Sequence, residues 1–212
     1  MTGVLDGLPP SIVLAVGAAA AYLVGAVPIG FLIARAFGIG DISRHGSGTI
    51  GATNVLRAAG TLPAVLTLIG DVVKGALAVW LGAQIAGGAA AGGPVAAGAA
   101  VVGNCWSIFL RFRGGKGVAT GLGAMLMLLG PLAILPSAIV FLVVVATTRY
   151  VSLGSLLGAV GIPVIALALG RPVVSVMAAA AVALLIVGRH HQNIARLLDG
   201  TENRVGRRAP AS

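Results

Sequence analysis

Long apolar runs, broken by only a few polar stretches, constrain the fold of this chain more than any other feature. Hydrophobic residues make up 58% of its 212 residues, charged residues make up 9%, and the mean hydropathy is +1.06. An average soluble domain is about a quarter charged, so this composition predicts an all-α polytopic membrane protein. The 33 glycines and many alanines would let its helices approach closely, although the same richness can reflect genome composition.

Apolar runs long enough to cross a bilayer predict the number of membrane spans. The clear runs are Ser11–Ala34, Leu62–Ala86, Val95–Leu110, Leu153–Leu169 and Val173–Gly188. The stretch from Val118 to Ala146 is too long for one upright span and short for two, at about 1.5 Å per residue. Gly130 and Pro131 lie in its middle, and this dipeptide breaks helices and begins new ones.

The distribution of basic residues decides between six and seven spans. With six spans, Arg149 and the basic tail would lie on the opposite face of the membrane from the first two polar inserts. With seven spans, nearly all basic residues lie on one face. Only Arg171 then lies on the other face, and Lys74 lies within a span. One side then holds Arg35, Arg44, Arg57, Arg111, Arg113, Lys116, Arg149, Arg189, Arg196, Arg204, Arg207 and Arg208. By the positive-inside rule we predict seven transmembrane helices, with the N-terminus outside and the C-terminus in the cytoplasm. We expect residues 1–212 to form a single integral membrane domain, since no internal repeat stands out.

Charge and cysteine content exclude several functions. The net charge of +9 favours anionic headgroups and phosphorylated substrates over nucleic acid, because aromatic residues are only 4% and no soluble basic domain is present. Cys105 is the only cysteine, so an intrachain disulfide and a thiolate metal cluster are excluded. We expect neither a metal nor a cofactor.

Three polar inserts interrupt the apolar sequence, namely Gly46–Arg57, Arg111–Thr120 and Arg189–Arg208. Their glycines and threonines offer backbone N–H groups and hydroxyls, and their lysine and arginines supply positive charge. Such groups hold phosphate. The seven-span topology places all three inserts on one face of the membrane.

The first insert has Gly46, Gly48 and Gly51 at the spacing of a dinucleotide fingerprint. That fingerprint needs a preceding strand, whereas this run follows a membrane helix, so a dinucleotide site is rejected. The glycine-rich turn instead predicts a short helix near Ala52–Ala59, whose free N–H groups could bind an anion beside Arg57. A capped surface helix with no ligand is the alternative.

Four motifs follow one another along the chain. They are Ser47–Arg57 (SGTIGATNVLR), Asp71–Gly75 (DVVKG), Gly114–Thr120 (GGKGVAT), and a last pattern made of His190, Asn193, Ile194, Arg196, Leu197, Gly200 and Glu202. In content and order they resemble the motifs of the PlsY family, the bacterial acyl-phosphate:glycerol-3-phosphate acyltransferases. The resemblance covers nearly the whole chain.

This resemblance implies transfer of an acyl chain from acyl phosphate to the primary hydroxyl of glycerol 3-phosphate, which yields lysophosphatidic acid in the first step of membrane phospholipid synthesis. It implies catalytic roles for Ser47, Arg57, Lys116, His190 and Asn193. It implies substrate binding by Gly48, Thr53, Asn54, Lys74, Gly114, Gly115, Gly117 and Glu202. Ser152 and Ser155, one helical turn apart, are expected to bind substrate on the ground of their spacing alone. The expected location is the bacterial inner membrane with the active site facing the cytoplasm. Expected partners are membrane lipid and a soluble enzyme that produces acyl phosphate.

The chain departs from the family pattern at two places. Thr49 stands where the family usually has asparagine, and Asn104 stands where it usually has histidine in a G-H-x-x-P motif. Asparagine can donate and accept hydrogen bonds but does not titrate. Asn104 therefore cannot exchange a proton with a substrate as a histidine could.

Structural interpretations remain open for several of these residues. Asp71 and Lys74, three apart in an apolar span, are expected to pair, and the pair could be purely structural. The Gly114–Gly117 turn fails the spacing of a Walker loop, so it is either a phosphate nest or a hairpin whose lysine only marks topology. Ser152 and Ser155 could bind phosphate or cap the following helix.

His190, Asn193 and Leu197 share one helix face, with His191 turned away. His190 could orient a substrate hydroxyl with Asn193 fixing its position, and only the resemblance favours His190 over His191. Direct attack on the acyl phosphate is the preferred mechanism, and a Ser47 nucleophile with His190 as its base is the alternative. An anion transporter and a lipid-binding scaffold are the competing functions.

Overall fold

The computed structural model describes residues 7–87 and 90–206. Within these ranges it has α-helices and two short 3₁₀ turns, Ile42–Arg44 and Ile108–Leu110, and no strand. The helices are α1 Pro10–Ala26, α2 Ile29–Ala36, α3 Ala52–Ala59, α4 Thr61–Ile85, α5 Gly92–Cys105, α6 Val118–Leu129, α7 Pro131–Thr148, α8 Val151–Ala168, α9 Val173–Arg189 and α10 His191–Leu198. The all-α prediction is confirmed. Arg207 and Arg208, assigned above to the basic side, lie outside the described residues.

Helix lengths bear on the predicted spans. Four segments are long and apolar enough to cross a bilayer, namely Pro10–Ala36, Thr61–Ile85, Pro131–Thr148 and Val151–Ala168. Helices α9 and α10 pass the same test only as a pair bent by 61°. Helices α5 and α6 are apolar but shorter, at 14 and 12 residues. The count of seven spans and the orientation of the termini therefore stay predictions.

The division of the long apolar stretch at Gly130 and Pro131 is confirmed. Helix α6 ends at Leu129 and α7 begins at Pro131. Gly130 between them has φ +78°, a conformation that glycine adopts without a steric cost. Proline fits the first turn of the next helix because the N–H that it lacks has no partner there.

The predicted span Ser11–Ala34 falls within the apolar segment Pro10–Ala36, which is long enough to cross a bilayer, but this segment is made of two helices. Helix α1 ends at Ala26, and α2 begins at Ile29, after Pro28. Proline cannot donate a hydrogen bond to the preceding turn, so the last carbonyls of α1 need other partners. The Lys74 ammonium donates to the Val27 carbonyl at 2.8 Å, and the Ser107 hydroxyl donates to the Ala26 carbonyl at 2.6 Å.

Small residues bring the helices close together. Helix α1 packs on α4 and α5, α4 packs on α6, and α8 packs between α7 and α9. A Cβ at Gly75 would overlap the Thr120 carbonyl, and a Cβ at Gly123 would overlap the Val72 carbonyl. The backbones of α4 and α6 therefore touch along one line, as in other glycine-mediated crossings in membranes.

A buried cluster joins α5, α6, α8 and α9, with Val101, Met125, Ile162 and Val182 among its members. Large apolar side chains elsewhere point outward, Leu142 and Leu184 among the most exposed. Outward apolar side chains are the pattern that a lipid environment favours. The polar inserts lie at the ends of these helices.

Candidate active site

One cavity of about 400 Å³ lies between α3, α6, α7, α8 and α9. Polar side chains surround one end, namely Ser47, Thr49, Thr53, Arg57, Lys116, Ser152, His190, Asn193 and Glu202. Apolar and small side chains line the rest, including Leu122, Met125, Phe141, Ala159, Ile162, Ala179 and Val182. The cavity thus joins a polar, basic mouth to an apolar interior. We call this space the main cavity.

The first insert folds around the side chain of Asn54. This residue is 1% exposed. Its amide nitrogen contacts the carbonyls of Ile42, His45 and Thr49 at 3.2, 2.9 and 2.8 Å, and its oxygen accepts the Ser47 N–H at 3.0 Å. All polar atoms of Asn54 are occupied by the loop. Asn54 also lines the main cavity, so its role in substrate binding stays a prediction beside this structural one.

The predicted helix Ala52–Ala59 is present as α3, and no side chain caps its N-terminus. The Ser47 hydroxyl lies 3.0 Å from the Thr49 hydroxyl at the mouth of the cavity. Arg57, one turn further along α3, also lines the cavity and is exposed. An uncapped helix N-terminus with hydroxyls and a guanidinium beside it is suited to bind an anion.

The second insert is held against the end of α5. The Gly115 N–H donates to the Asn104 carbonyl at 2.9 Å, and a Cβ at Gly114 would overlap that same carbonyl. One N–H of the predicted phosphate nest is thus already used by the protein. Glycines at these positions permit a close backbone contact, which places Lys116 at the cavity.

Arg189 braces this turn and was not assigned a role from the sequence. Its guanidinium donates twice to the Gly115 carbonyl, at 3.3 Å from both Nε and Nη2, and its Cζ lies 5.3 Å from the centre of the Trp106 ring. The only sequence signal was a basic residue in the last turn of an apolar helix. The sequence did not indicate its partners, Gly115 and Trp106, which are more than 70 residues away along the chain.

Lys116 is at the centre of the polar network. Its ammonium donates to the Asn193 side-chain oxygen at 2.6 Å, and the Asn193 amide donates to Glu202 at 2.7 Å. Burial lowers the pKa of Lys116 to about 8, with Glu202 opposing this shift and the nearby Arg196, Arg57 and Arg189 adding to it. A cation with so much positive charge around it gains from an anionic ligand.

Glu202 ties the tail to the site. It accepts hydrogen bonds from Ser152 at 3.0 Å and Asn193 at 2.7 Å, and it forms an ion pair with Arg196 at 2.7 Å. Burial alone would raise the pKa of Glu202, but the hydrogen bonds from Asn193, Arg196 and Ser152 outweigh it and lower the pKa. Ser155 also lines the cavity, and its hydroxyl donates to the Val151 carbonyl at 2.8 Å.

His190 is buried at the bend between α9 and α10, and it lines the main cavity. Its Nδ1 lies 2.7 Å from the Ile186 carbonyl oxygen. A carbonyl cannot donate, so Nδ1 carries the hydrogen and Nε2 of the neutral ring is free to accept one. Burial is the main cause that lowers the pKa of His190 to about 4, so the ring is neutral at pH 7.

Two sequence expectations about this helix have different outcomes. His191 is exposed and does not line the cavity, as the helix-face argument predicts. The expectation that Asn193 fixes His190 is wrong, because the Ile186 carbonyl holds the ring and Asn193 is bonded to Lys116 and Glu202.

Lys74 does not line the main cavity. It pairs with Asp71 at 2.7 Å, as predicted, and it also donates to the Val27 carbonyl and to the Asn104 side-chain oxygen at 2.9 Å. Asp71 and Asn104 line the cavity, so the lysine lies behind them. The Lys74 ammonium therefore donates hydrogen bonds to the helix break beside Pro28 and to the side chain of Asn104.

Two predicted glycines also lie away from the main cavity. Gly48 and Gly114 line a second cavity on the other side of their loops, whereas Gly115 and Gly117 line the main one. Within residues 7–87 and 90–206, no group of three or more His, Cys, Asp and Glu side chains comes together as metal ligands would.

Apolar helices around a cavity with a basic, histidine-containing mouth define a helical integral membrane enzyme. The model of the glycerol-3-phosphate acyltransferase family matches residues 15–200. The chain therefore belongs to the glycerol-3-phosphate acyltransferase family, and it is an acyltransferase. The sequence resemblance to PlsY is thereby confirmed.

Similarity to relatives of this family extends over nearly the whole chain. The glycerol-3-phosphate acyltransferase of Syntrophotalea carbinolica is 49% identical over 187 residues, which cover 87% of this chain and 94% of that protein. That of Thermus thermophilus is 48% identical over 191 residues, with 90% and 94% covered.

Solved structures agree with this family assignment. The crystal structure of PlsY, an integral membrane glycerol 3-phosphate acyltransferase, in its glycerol 3-phosphate form superposes with a TM-score of 0.85 at 35% identity and covers 91% of this chain and 96% of that one. Its lysophosphatidic acid form gives a TM-score of 0.83 at 35% identity, with 91% and 95% covered.

Proposed function

We propose that this protein transfers the acyl group of an acyl phosphate to the primary hydroxyl of glycerol 3-phosphate and releases lysophosphatidic acid and inorganic phosphate. The observation that carries the proposal is the continuity of the main cavity, which runs from a basic mouth into an apolar interior. Acyl phosphate has the same two parts, a phosphate and an acyl chain. Glycerol 3-phosphate needs only the mouth.

The charges at the mouth favour anionic substrates. The carboxylates that line the cavity are engaged, Asp71 with Lys74 and Glu202 with Arg196. Arg57 and Lys116 form no ion pair with a carboxylate in the described part of the chain. These two cations, with the N–H groups of α3, can hold the phosphates of both substrates.

The apolar interior is deep enough for much of an acyl chain. Along α8 the cavity wall extends from Ser152 to Ile162, which is roughly 15 Å at the helical rise of 1.5 Å per residue. Gly154 and Gly158 lie in this wall and let α7 pack closely on α8, since a Cβ at Gly154 would meet Val145 and Phe141. The acyl chain would lie there with its activated carbonyl at the polar mouth.

Direct attack fits the arrangement of His190. The substrate hydroxyl would donate a hydrogen bond to Nε2 of His190, and its oxygen would attack the acyl carbonyl carbon as the carbon–oxygen bond to phosphate breaks. Because the pKa of His190 is lowered to about 4 and a phosphate monoester has a second pKa of about 6, the departing phosphate takes the proton. Arg57 and Lys116 would stabilise the charge that moves onto it.

A covalent route through Ser47 has less support. The Ser47 hydroxyl is hydrogen-bonded to the Thr49 hydroxyl and not to a histidine, and a serine nucleophile needs an adjacent base. Mixing the enzyme with radiolabelled acyl phosphate alone separates the two routes. Label that stays on the protein after denaturation and is absent from Ser47→Ala would overturn direct attack.

The proposed setting is the inner membrane of a bacterium, with residues 1–212 acting as one domain whose cavity mouth opens to the cytoplasm. There the mouth meets soluble glycerol 3-phosphate and a soluble enzyme that makes acyl phosphate. The many basic residues among the polar inserts favour this side.

The test is an assay with purified enzyme, palmitoyl phosphate and radiolabelled glycerol 3-phosphate, with palmitoyl-CoA as the competing acyl donor. Lysophosphatidic acid should form from the phosphate donor only. Arg57→Ala should reduce turnover at least a hundredfold, whereas Arg35→Ala, an exposed arginine outside the cavity, should stay near wild type. No product from palmitoyl phosphate, or product from palmitoyl-CoA alone, would remove the proposal.

A further inference from the structure

A second cavity, of about 470 Å³, lies behind the two glycine loops. Ser43 and Gly48, before and within the first insert, line it together with Phe109, Arg111 and Arg113 from the segment that follows α5. None of these residues lines the main cavity. The proposed transfer reaction makes no use of this space.

The second cavity has a net positive lining. Arg111 and Arg113 are exposed, and neither guanidinium forms an ion pair with a carboxylate in the part of the chain that the structure describes. The one carboxylate in the lining, Asp41, accepts hydrogen bonds from the Ser43 N–H at 3.0 Å and the Ser43 hydroxyl at 2.6 Å, and it lies 3.5 Å from Arg44. Two arginines are thus left for an external anion.

The backbone conformation brings both Arg111 and Arg113 to the second cavity. Arg111 and Phe112 have φ of +53° and +61°, a left-handed conformation that residues other than glycine rarely adopt. The Phe112 N–H donates to the Ser107 carbonyl at 2.8 Å, and Ser107 and Arg113 form an isolated bridge. This reversal places Arg111 and Arg113 together at the cavity, whereas Phe112 between them is absent from its lining.

The aromatic side chains of the same segment are suited to a position at the lipid surface. Phe109 is 57% exposed and Phe112 is 61% exposed, and Ile108 is also exposed. The segment directly follows the apolar helix α5. Exposed phenylalanines next to arginines at the end of an apolar helix are suited to the region where acyl chains meet headgroups.

We propose that the second cavity binds the phosphate of an anionic phospholipid from the surrounding membrane. Arg111 and Arg113 donate to the phosphate oxygens, as guanidinium groups do in other phosphate sites. Phe109 and Phe112 lie among the acyl chains of the same lipid.

The bound lipid would lie against the back of the active-site loops. Gly48 lines the second cavity while its neighbours Ser47 and Thr49 line the main one, and Gly114 is likewise next to Gly115. The two cavities therefore share both loops as a wall. Lipid binding is expected to stabilise these loops against thermal unfolding.

The test uses native mass spectrometry of the purified full chain, titrated with phosphatidylglycerol or with phosphatidylcholine. The wild type should bind phosphatidylglycerol more tightly. The double variant Arg111→Asn/Arg113→Gln should lose at least tenfold in apparent affinity for phosphatidylglycerol, and asparagine is chosen because it tolerates the left-handed conformation. The control Arg35→Gln/Arg149→Asn removes the same charge outside both cavities, again with asparagine at a left-handed position, and should bind like the wild type.

Each contrary result has a definite meaning. Equal losses in the two double variants would show diffuse attraction to positive charge and overturn the site. Displacement of phosphatidylglycerol by equal concentrations of inorganic phosphate would show that a free anion is the ligand, and the lipid assignment would fail. If the double variant does not fold, Arg113→Gln is compared with Arg113→Lys. Retained affinity in Arg113→Gln, or equal affinity in both, contradicts the proposal.

Discussion

The Lys116 ammonium lies 2.6 Å from the side-chain oxygen of Asn193, a residue 77 positions further along the chain. This hydrogen bond joins the second polar insert to the third. Asn193 in turn donates to Glu202, so Lys116, Asn193 and Glu202 form a continuous chain of hydrogen bonds at the mouth of the cavity. The tail of the protein therefore helps to hold the cation in place.

The charge state of Lys116 should be visible in the dependence of kcat/KM on pH. Burial lowers the pKa of Lys116 to about 8, so the fraction of charged lysine falls as the pH rises through 8. Only the charged ammonium binds phosphate, and the pH dependence of kcat/KM reports the pKa values of the free enzyme. The kcat/KM for glycerol 3-phosphate should therefore fall about tenfold per pH unit above pH 8. Bound anions favour the charged form, so the corresponding fall in kcat should come at higher pH.

Lys116→Arg is the matched control for this profile, because arginine stays charged throughout the range. The variant should lose the alkaline fall in kcat/KM even if its maximum rate is lower. An unchanged alkaline fall in Lys116→Arg would mean that another group titrates.

The two adjacent histidines should differ sharply. His190 is buried in the cavity wall with Nε2 free, whereas His191 is exposed and its ring contacts only the Gly188 carbonyl, at 3.0 Å. His190→Ala should reduce kcat by about a hundredfold, the cost of losing the orientation of a reacting group. His191→Ala should stay within about twofold of wild type.

His190→Gln separates the two possible roles of this ring. Glutamine can accept the hydrogen bond of the substrate hydroxyl but cannot take its proton. Orientation, the role proposed above, predicts clearly more activity in His190→Gln than in His190→Ala. Equal rates in the two variants would instead identify His190 as the general base.

Glu202 is expected to act through the residues that it positions. It holds Ser152, Asn193 and Arg196, and Glu202→Gln would keep its size but remove the charge from all three interactions. Hydrogen bonds to a charged group contribute about 1.5–3 kcal/mol each, so turnover should fall at least tenfold with a lower thermal midpoint. Asp199→Asn, which removes an exposed carboxylate from the same helix end, is the control.

The lowered pKa of Glu202 gives the stabilisation a pH dependence. A carboxylate that is more acidic when folded stabilises the fold above its unfolded pKa, and this contribution is lost as the pH falls through the folded value. The difference in thermal midpoint between wild type and Glu202→Gln should therefore be largest near neutral pH and shrink in acid. A difference that grows in acid would contradict the network.

Features set by local chemistry could be predicted from the sequence. The helix Ala52–Ala59 follows from its glycine-rich turn, and the break between Leu129 and Pro131 follows from a glycine–proline pair. The choice of His190 over His191 agrees with helix periodicity, although only the family resemblance gave it a role. In each case the deciding residues are neighbours in the chain.

Features set by distant partners could not be predicted. Lys74 lies behind the cavity, where its ammonium donates to the Val27 carbonyl, 47 residues away, at the helix break beside Pro28. The side-chain amide of Asn54 donates hydrogen bonds to carbonyls of a loop that only the folded structure brings around it. A motif shows which residue types are present, but not whether their polar atoms face a substrate or the protein.

Close contact between α1 and α5 should make one glycine of α5 essential and another dispensable. A Cβ at Gly103 would overlap the Tyr22 carbonyl, whereas a Cβ at Gly98, on the same helix, would meet nothing within 4 Å. Gly103→Ala must therefore push the two helices apart, at a cost of about 1–3 kcal/mol for an overpacked core. Gly98→Ala should leave stability unchanged or raise it by up to about 1 kcal/mol, because alanine favours the helix.

Thermal unfolding of both variants in detergent measures this difference. Displacement of α5 would also shift the Asn104 carbonyl that holds Gly115, so Gly103→Ala should lose activity together with stability. A Gly103→Ala enzyme as stable and active as Gly98→Ala would show that the α1–α5 contact is looser than the structure has it. Because Gly114, Gly115 and through them Lys116 rest on this end of α5, the packing of small residues in the membrane determines where the cation of the site lies.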